Sequence, residues 1–122
     1  MNNVGMPSPR NLEECVAEIK KWQTPKTIKL ITKMNETKFL AAAHHSLGRT
    51  IRNVFKLWEP NSVLSIYFKD LGLHHADDMS GVILTSFHRY LNNKHFYVEE
   101  QVEYYKNYWK KKGVNEEVFN AK

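Results

Sequence analysis

Residues 40–58 read LAAAHHSLGRTIRNVFKLW, and this stretch decides the fold. At about 100° per residue, Leu40, Ala43, His44, Leu47, Ile51, Val54, Phe55 and Trp58 fall on one broad stripe. A stripe that wide predicts a buried central helix over about residues 36–58, started by Asn35-Glu36. A narrower row of Ala41, His45, Gly48 and Arg52 runs beside it. Small residues there admit a neighbouring backbone. Gly48 costs roughly 1 kcal/mol against alanine inside a helix, so it points to packing, a bend or a site. Arg52 and Asn53 lie at the edge of the stripe. A guanidinium there needs a partner, and the acid pair Asp77-Asp78 is the one to expect.

Working back from this helix, Lys26 to Lys33 is a short helical piece with Ile28 and Ile31 inward and lysines outward. Thr24-Pro25 stops one helix and starts the next, since proline suits a first turn. Asn11 is a predicted N-cap, with Glu14 its capping-box partner, and Leu12, Val16 and Ile19 mark the inner face of a first helix. Residues 1–10, with two prolines and a glycine, read as a flexible lead-in.

Working forward, Pro60 ends the central helix. Ser62 caps a short helix that stops at Gly72. After the connector Leu73-His74-His75-Ala76, Asp77 is the predicted cap of a further helix, with Asp78 adding negative charge at its positive end. Its inward stripe is Met79, Val82, Ile83, Ser86, Phe87 and Tyr90, with His88 opposite. A last helix runs from about Val98 to Lys112, with Val98, Val102, Tyr105 and Trp109 inward and Tyr97, Tyr104 and Tyr108 in a second row. Gly113 stops it. Residues 113–122 read as a tail in which Val118 and Phe119 are candidates for docking. No stretch alternates with period two. The expected fold is therefore all-α: one domain over 11–112, a bundle of five to six helices around the 36–58 helix.

The composition agrees with a single core. The chain has 122 residues, 42% hydrophobic and 12% aromatic. No apolar run reaches the roughly 18 residues of a membrane span, and the first residues lack the apolar core of a secretory signal. The lone Cys15 excludes an internal disulfide and fits a reducing compartment, so a cytoplasmic location is expected. The net charge of +5 lies wholly in residues 1–60, where ten Lys and Arg face five Asp and Glu; residues 61–122 hold eight of each. That surplus permits an acidic partner or a nucleic acid, without the clustered stripe that marks nucleic-acid binders.

From the first helix to the fifth the chain resembles a family of small bacterial domains, also plausible in phages, catalogued as a domain of unknown function. The resemblance rests on NLEECVAEI, on HHSLGRTIRNVFKLW and on SVLSIYFKDLGLHHADDMSGVILTSFHRYLN. The shared core reads LG-x-x-IRN-x-x-x-LW and then G-[IL]-x-H-x-DD-[MA]-S. It falls here on Leu47, Gly48, Ile51, Arg52, Asn53, Leu57, Trp58, Gly72, His75, Asp77, Asp78, Met79 and Ser80. The family usually has proline where this chain has Ala76, which makes the connector less rigid. The resemblance implies a fold and a candidate site, and no activity.

Arg52, Asn53, His75, Asp77 and Asp78 are the candidate polar cluster. One reading is a pocket between the central helix and the Asp77 helix. The plainer one is a buried brace in which Asp77 caps its helix, Arg52 pairs with Asp78 and Asn53 ties down the connector. The pairs His44-His45 and His74-His75 invite a metal, but adjacent helical residues point about 100° apart and no ligand series is present, so no metal or cofactor is assigned. Ser46, Ser80, Ser86 and Cys15 lack a nucleophile context, and no catalytic residue is assigned. Tyr97, Tyr104 and Tyr108 with Lys106 and Lys110 are the candidate partner-binding patch if that second row is exposed. The leading expectation is a non-enzymatic protein-interaction module, of an immunity or phage counter-defence type, that occupies a partner protein. The alternatives are nucleic-acid binding through the basic first half and a small metal-dependent enzyme using His75, Asp77 and Asp78.

Overall fold

The computed structural model describes residues 8–113, and those residues hold seven helices and no strand. They are α1 (Leu12–Trp22), α2 (Pro25–Lys33), α3 (Glu36–Ala43), α4 (Leu47–Val54), α5 (Val63–Leu71), α6 (Ala76–Leu91) and α7 (Val98–Lys111). The lead-in over residues 1–7 and the tail over 114–122, with Val118 and Phe119, lie outside the described residues. No helix among the described residues is long and apolar enough to cross a membrane.

Local chemistry sets most of the boundaries. Asn11, Thr24, Asn35 and Ser62 each accept an amide of the following first turn on the side chain, and Pro25 opens α2. Gly72 ends α5 at a φ of 108°, a conformation a side chain rarely adopts. The expected capping box is only half present. Asn11 takes the Glu14 amide, while the Glu14 carboxylate turns back to Arg10.

The predicted central helix over 36–58 is two helices, and it is not the centre. The chain breaks at His44-His45-Ser46, where the Ser46 amide donates to Ala43. α4 stops at Val54, because Lys56 takes a left-handed φ of 56° and the Leu57 amide reaches back to the Arg52 carbonyl at 2.9 Å. That turn swings Trp58 out to 58% exposure and leaves Val54 exposed too, against the expected stripe. In α3 it is Phe39, rather than Leu40, that is buried.

The centre is α6, which packs against all six other helices. Met79, Val82, Ile83, Leu84 and Phe87 are fully enclosed, and Ser80, Gly81, Thr85, Ser86 and His88 are buried with them. A helix apolar on every side belongs inside. Each large side chain removed from water contributes about 1.5–3 kcal/mol. Two of the buried polar side chains are tied to other elements: Ser86 accepts from Gln101, and His88 donates its Nε2–H to the Met34 carbonyl at 2.7 Å. His88 therefore does not face outward, as a one-sided stripe implies; Phe39 stacks on it at 5.7 Å. Tyr90, expected inside, is exposed.

Candidate functional site

The site forms where α6 begins. His75, not Asp77, is the cap: its Nδ1 accepts the Asp77 amide at 3.2 Å. Its Nδ1 also lies 3.9 Å from Asp77 Oδ2. Asp77 and Asp78 then lie in the first turn, where the helix dipole favours negative charge. Successive helical positions diverge by about 100°, so the two carboxylates serve different neighbours.

Asp77 faces α4. Arg52 is 5% exposed, and its Nε lies 3.5 Å from Asp77 Oδ1. Its Nη1 donates to Ser80 Oγ at 2.8 Å and its Nη2 to the His44 carbonyl at 3.0 Å. In an unbroken helix, eight residues would hold that carbonyl about 12 Å away along the axis. The α3–α4 break brings it within reach. Gly48 makes room, since an added Cβ would sit 3.1 Å from Arg52 Nη1 and 3.1 Å from the Ala43 carbonyl. The expected pairing of Arg52 with Asp78 is thus corrected to Asp77.

Asp78 faces α7. It is 9% exposed, and Trp109 Nε1 donates to its Oδ2 at 2.7 Å. Burial raises its carboxyl above the usual range and Asp77 adds to that, while the Trp109 hydrogen bond and nearby His75 oppose it. Burial, helped by Asp78, pushes the Tyr105 phenol up to about 12. The Trp109 ring stacks on His75 at 5.6 Å. α7 can approach this closely because residue 81 is glycine; a Cβ there would collide with the Tyr105 hydroxyl.

A cleft of about 310 Å³ opens between the two helices, lined by His75, Asp77, Asp78, Tyr104, Tyr105, Tyr108 and Trp109. It joins residues that the sequence keeps apart, His75, Asp77 and Asp78 of the polar cluster and Tyr104 and Tyr108 of the tyrosine row. Tyr104 and Tyr108 sit in it as exposed side chains.

Other expected members lie elsewhere. Asn53 is exposed and accepts from Trp58 Nε1 at 3.3 Å, so it does not tie down the connector. Tyr97 caps α7 at a left-handed φ of 53° and borders a separate cleft with Glu36, Arg89, Lys94 and His95. Lys106 runs against Gly72, its Cδ 3.2 Å from where a Cβ would stand. Lys110 is exposed at the end of α7. Cys15 is buried, which pushes its thiol far up and makes it filler rather than a nucleophile. Among the described residues, no three His, Cys, Asp or Glu side chains are grouped to hold a metal ion. Ser80, Tyr105 and Trp109 complete the site without being expected there. The mid-helix glycine at position 81 was the available signal for Tyr105.

Residues 8–91 match a family described as a domain of unknown function (DUF6794). No curated protein and no solved structure matches the chain.

Proposed function

The chain belongs to the DUF6794 family, a domain of unknown function, and on that premise we propose that it is a non-enzymatic module that binds a partner protein through the α7 face and its cleft. One observation carries this reading. Tyr104 is 66% exposed and Tyr108 45% exposed, and both line a cleft floored by two carboxylates. Large aromatic side chains left in water beside a concave, partly polar site are what partner anchors look like before capture. Both lie beyond the family match, which ends at residue 91. The match covers α1 to α6 and the acid pair of the cleft, while α7 lies outside it. Acting by occupancy needs no reacting group, and an inhibitor or immunity-type protein works in that way.

The test is affinity capture from the native host with the unaltered chain and with the Tyr104→Ala/Tyr108→Ala double variant. The captured protein is then purified and its binding measured directly. Both tyrosines are exposed, so the variant keeps its helical circular dichroism. Binding weakened about a hundredfold supports the reading, two anchors at about 1–2 kcal/mol each. Undiminished binding by the double variant removes it. Weakening of binding by moderate salt, with the double variant unaffected, would transfer the function to the basic first half of the chain.

A further inference from the structure

We infer that the cleft between α6 and α7 receives one positively charged side chain, an arginine or a lysine, of the partner protein. The inference rests on the α7 face being partner surface, and it names what that surface recognises.

The wall chemistry selects a cation. Four aromatic residues of α7, Tyr104, Tyr105, Tyr108 and Trp109, line the cleft together with His75. Aromatic faces carry negative potential and attract ammonium and guanidinium groups. Two carboxylates, those of Asp77 and Asp78, line it as well. A phosphate or a carboxylate would meet two negative charges there, and a purely apolar side chain would leave a buried carboxylate dry.

The two acids do not contribute equally. Arg52 already faces Asp77 at 3.5 Å. Asp78 is nine-tenths buried, accepts from Trp109 and makes no ion pair among the described residues. An arriving cation would supply what Arg52 supplies next door. The chain also places a cation of its own on one of these rings, Lys112 Nζ lying 5.6 Å from the Tyr108 centroid. The volume, about 310 Å³, is at the small end for ligand sites, which suits a single side chain.

The experiment is a titration of the full chain, followed by the Trp109 indole N–H resonance. The probes are N-acetyl-arginine methylamide, N-acetyl-lysine methylamide and neutral N-acetyl-citrulline methylamide. Both cations should shift the resonance saturably, and citrulline, which keeps the shape without the charge, should bind about tenfold more weakly. Asp78→Asn should weaken the cations by a similar factor. Tyr104→Ala, at a solvent-exposed position that folding does not need, should weaken them less. Equal binding of citrulline, cation binding untouched by both variants, or no saturable shift with either cation overturns the inference. The two readings fail separately. Partner capture lost in the tyrosine double variant, with no cation bound by the parent chain, keeps the surface and rejects the occupant. Cations bound while capture survives that variant keeps the cleft chemistry and rejects the surface.

Discussion

Asp77 and Asp78 are neighbours in sequence and opposites in circumstance. Asp77 is half-exposed, yet it faces a buried arginine whose other nitrogens hold Ser80 and the His44 carbonyl. Asp78 is almost enclosed, yet the side-chain donor it has among the described residues is a neutral indole, at the floor of an open cleft. The first neighbourhood is closed: its cation is matched by three acceptors, two on α6 and one at the end of α3, and it joins α3, α4 and α6. The second keeps a carboxylate out of water with no ion-pair partner among the described residues. Buried charge is ordinarily paired, so the closed side reads as architecture and the open side as a place kept for something else.

The comparison breaks first, and hardest, at Arg52. Arg52→Met should lower unfolding free energy by about 3 kcal/mol, measured by urea denaturation, because two buried hydrogen bonds from a charged donor are lost. Asp77 can turn to water, which keeps the loss below that of a fully buried pair. Arg52→Lys should recover less than half, since one ammonium cannot reach both Ser80 and the His44 carbonyl. A loss under about 0.5 kcal/mol, the scale of ordinary surface substitutions, would show that the α3–α4 break holds without the guanidinium.

The open side depends on how closely α7 lies on α6, and Gly81 controls that distance. Gly81→Ala gains helix propensity of about 1 kcal/mol but drives a methyl into the Tyr105 hydroxyl. The net expectation is a loss of about 1–2 kcal/mol from overpacking. Adding Tyr105→Phe removes the colliding oxygen and should return part of the loss. If the single variant is as stable as the parent, α7 sits more loosely than the Trp109–Asp78 bond implies.

How much of this was legible in the order of residues depends on range. Asn11, Thr24, Asn35, Ser62 and Gly72 act on their own turns, and each could be read where it stands. The His44–Ser46 break could not, because what stabilises it is Arg52 reaching back across it, a tertiary contact that a helical wheel does not contain. The same wheel continued the stripe through Phe55 to Trp58, past a left-handed Lys56 that no glycine announces. α6 was under-read for a different reason. A single stripe is too narrow for a helix whose Ser80, Gly81, Leu84 and Thr85 are also buried, since small polar residues look like an outer face until partners such as Arg52 reach them. In the site, the 100° divergence of Asp77 and Asp78 was predictable, but which way each turns was not. Periodicity placed Tyr104 and Tyr108 on an outer row. Their meeting with His75 and Asp78 needed the packing angle of α7, which Gly81 permits.

The smallest effect sharpens the comparison most. A carboxyl whose proton is held more tightly in the folded chain than in the unfolded one weakens the fold as pH rises from the ordinary carboxylate range through its raised value. Above that window the penalty is complete, and below it the penalty is absent. His75, Asp77, Tyr105 and Trp109 surround this carboxyl, and Trp109 can donate equally well to an amide oxygen. Asp78→Asn should therefore match the parent in acid and exceed it near neutral pH, by about 1 kcal/mol or less. The difference is read from urea midpoints of both chains across that range. Asp77→Asn, in the half-exposed position beside Arg52, should show no such gain. A parent that instead becomes the more stable of the pair as pH rises would mean that Asp78 already has its countercharge within the chain. The closed and open sides would then be the same kind of structure.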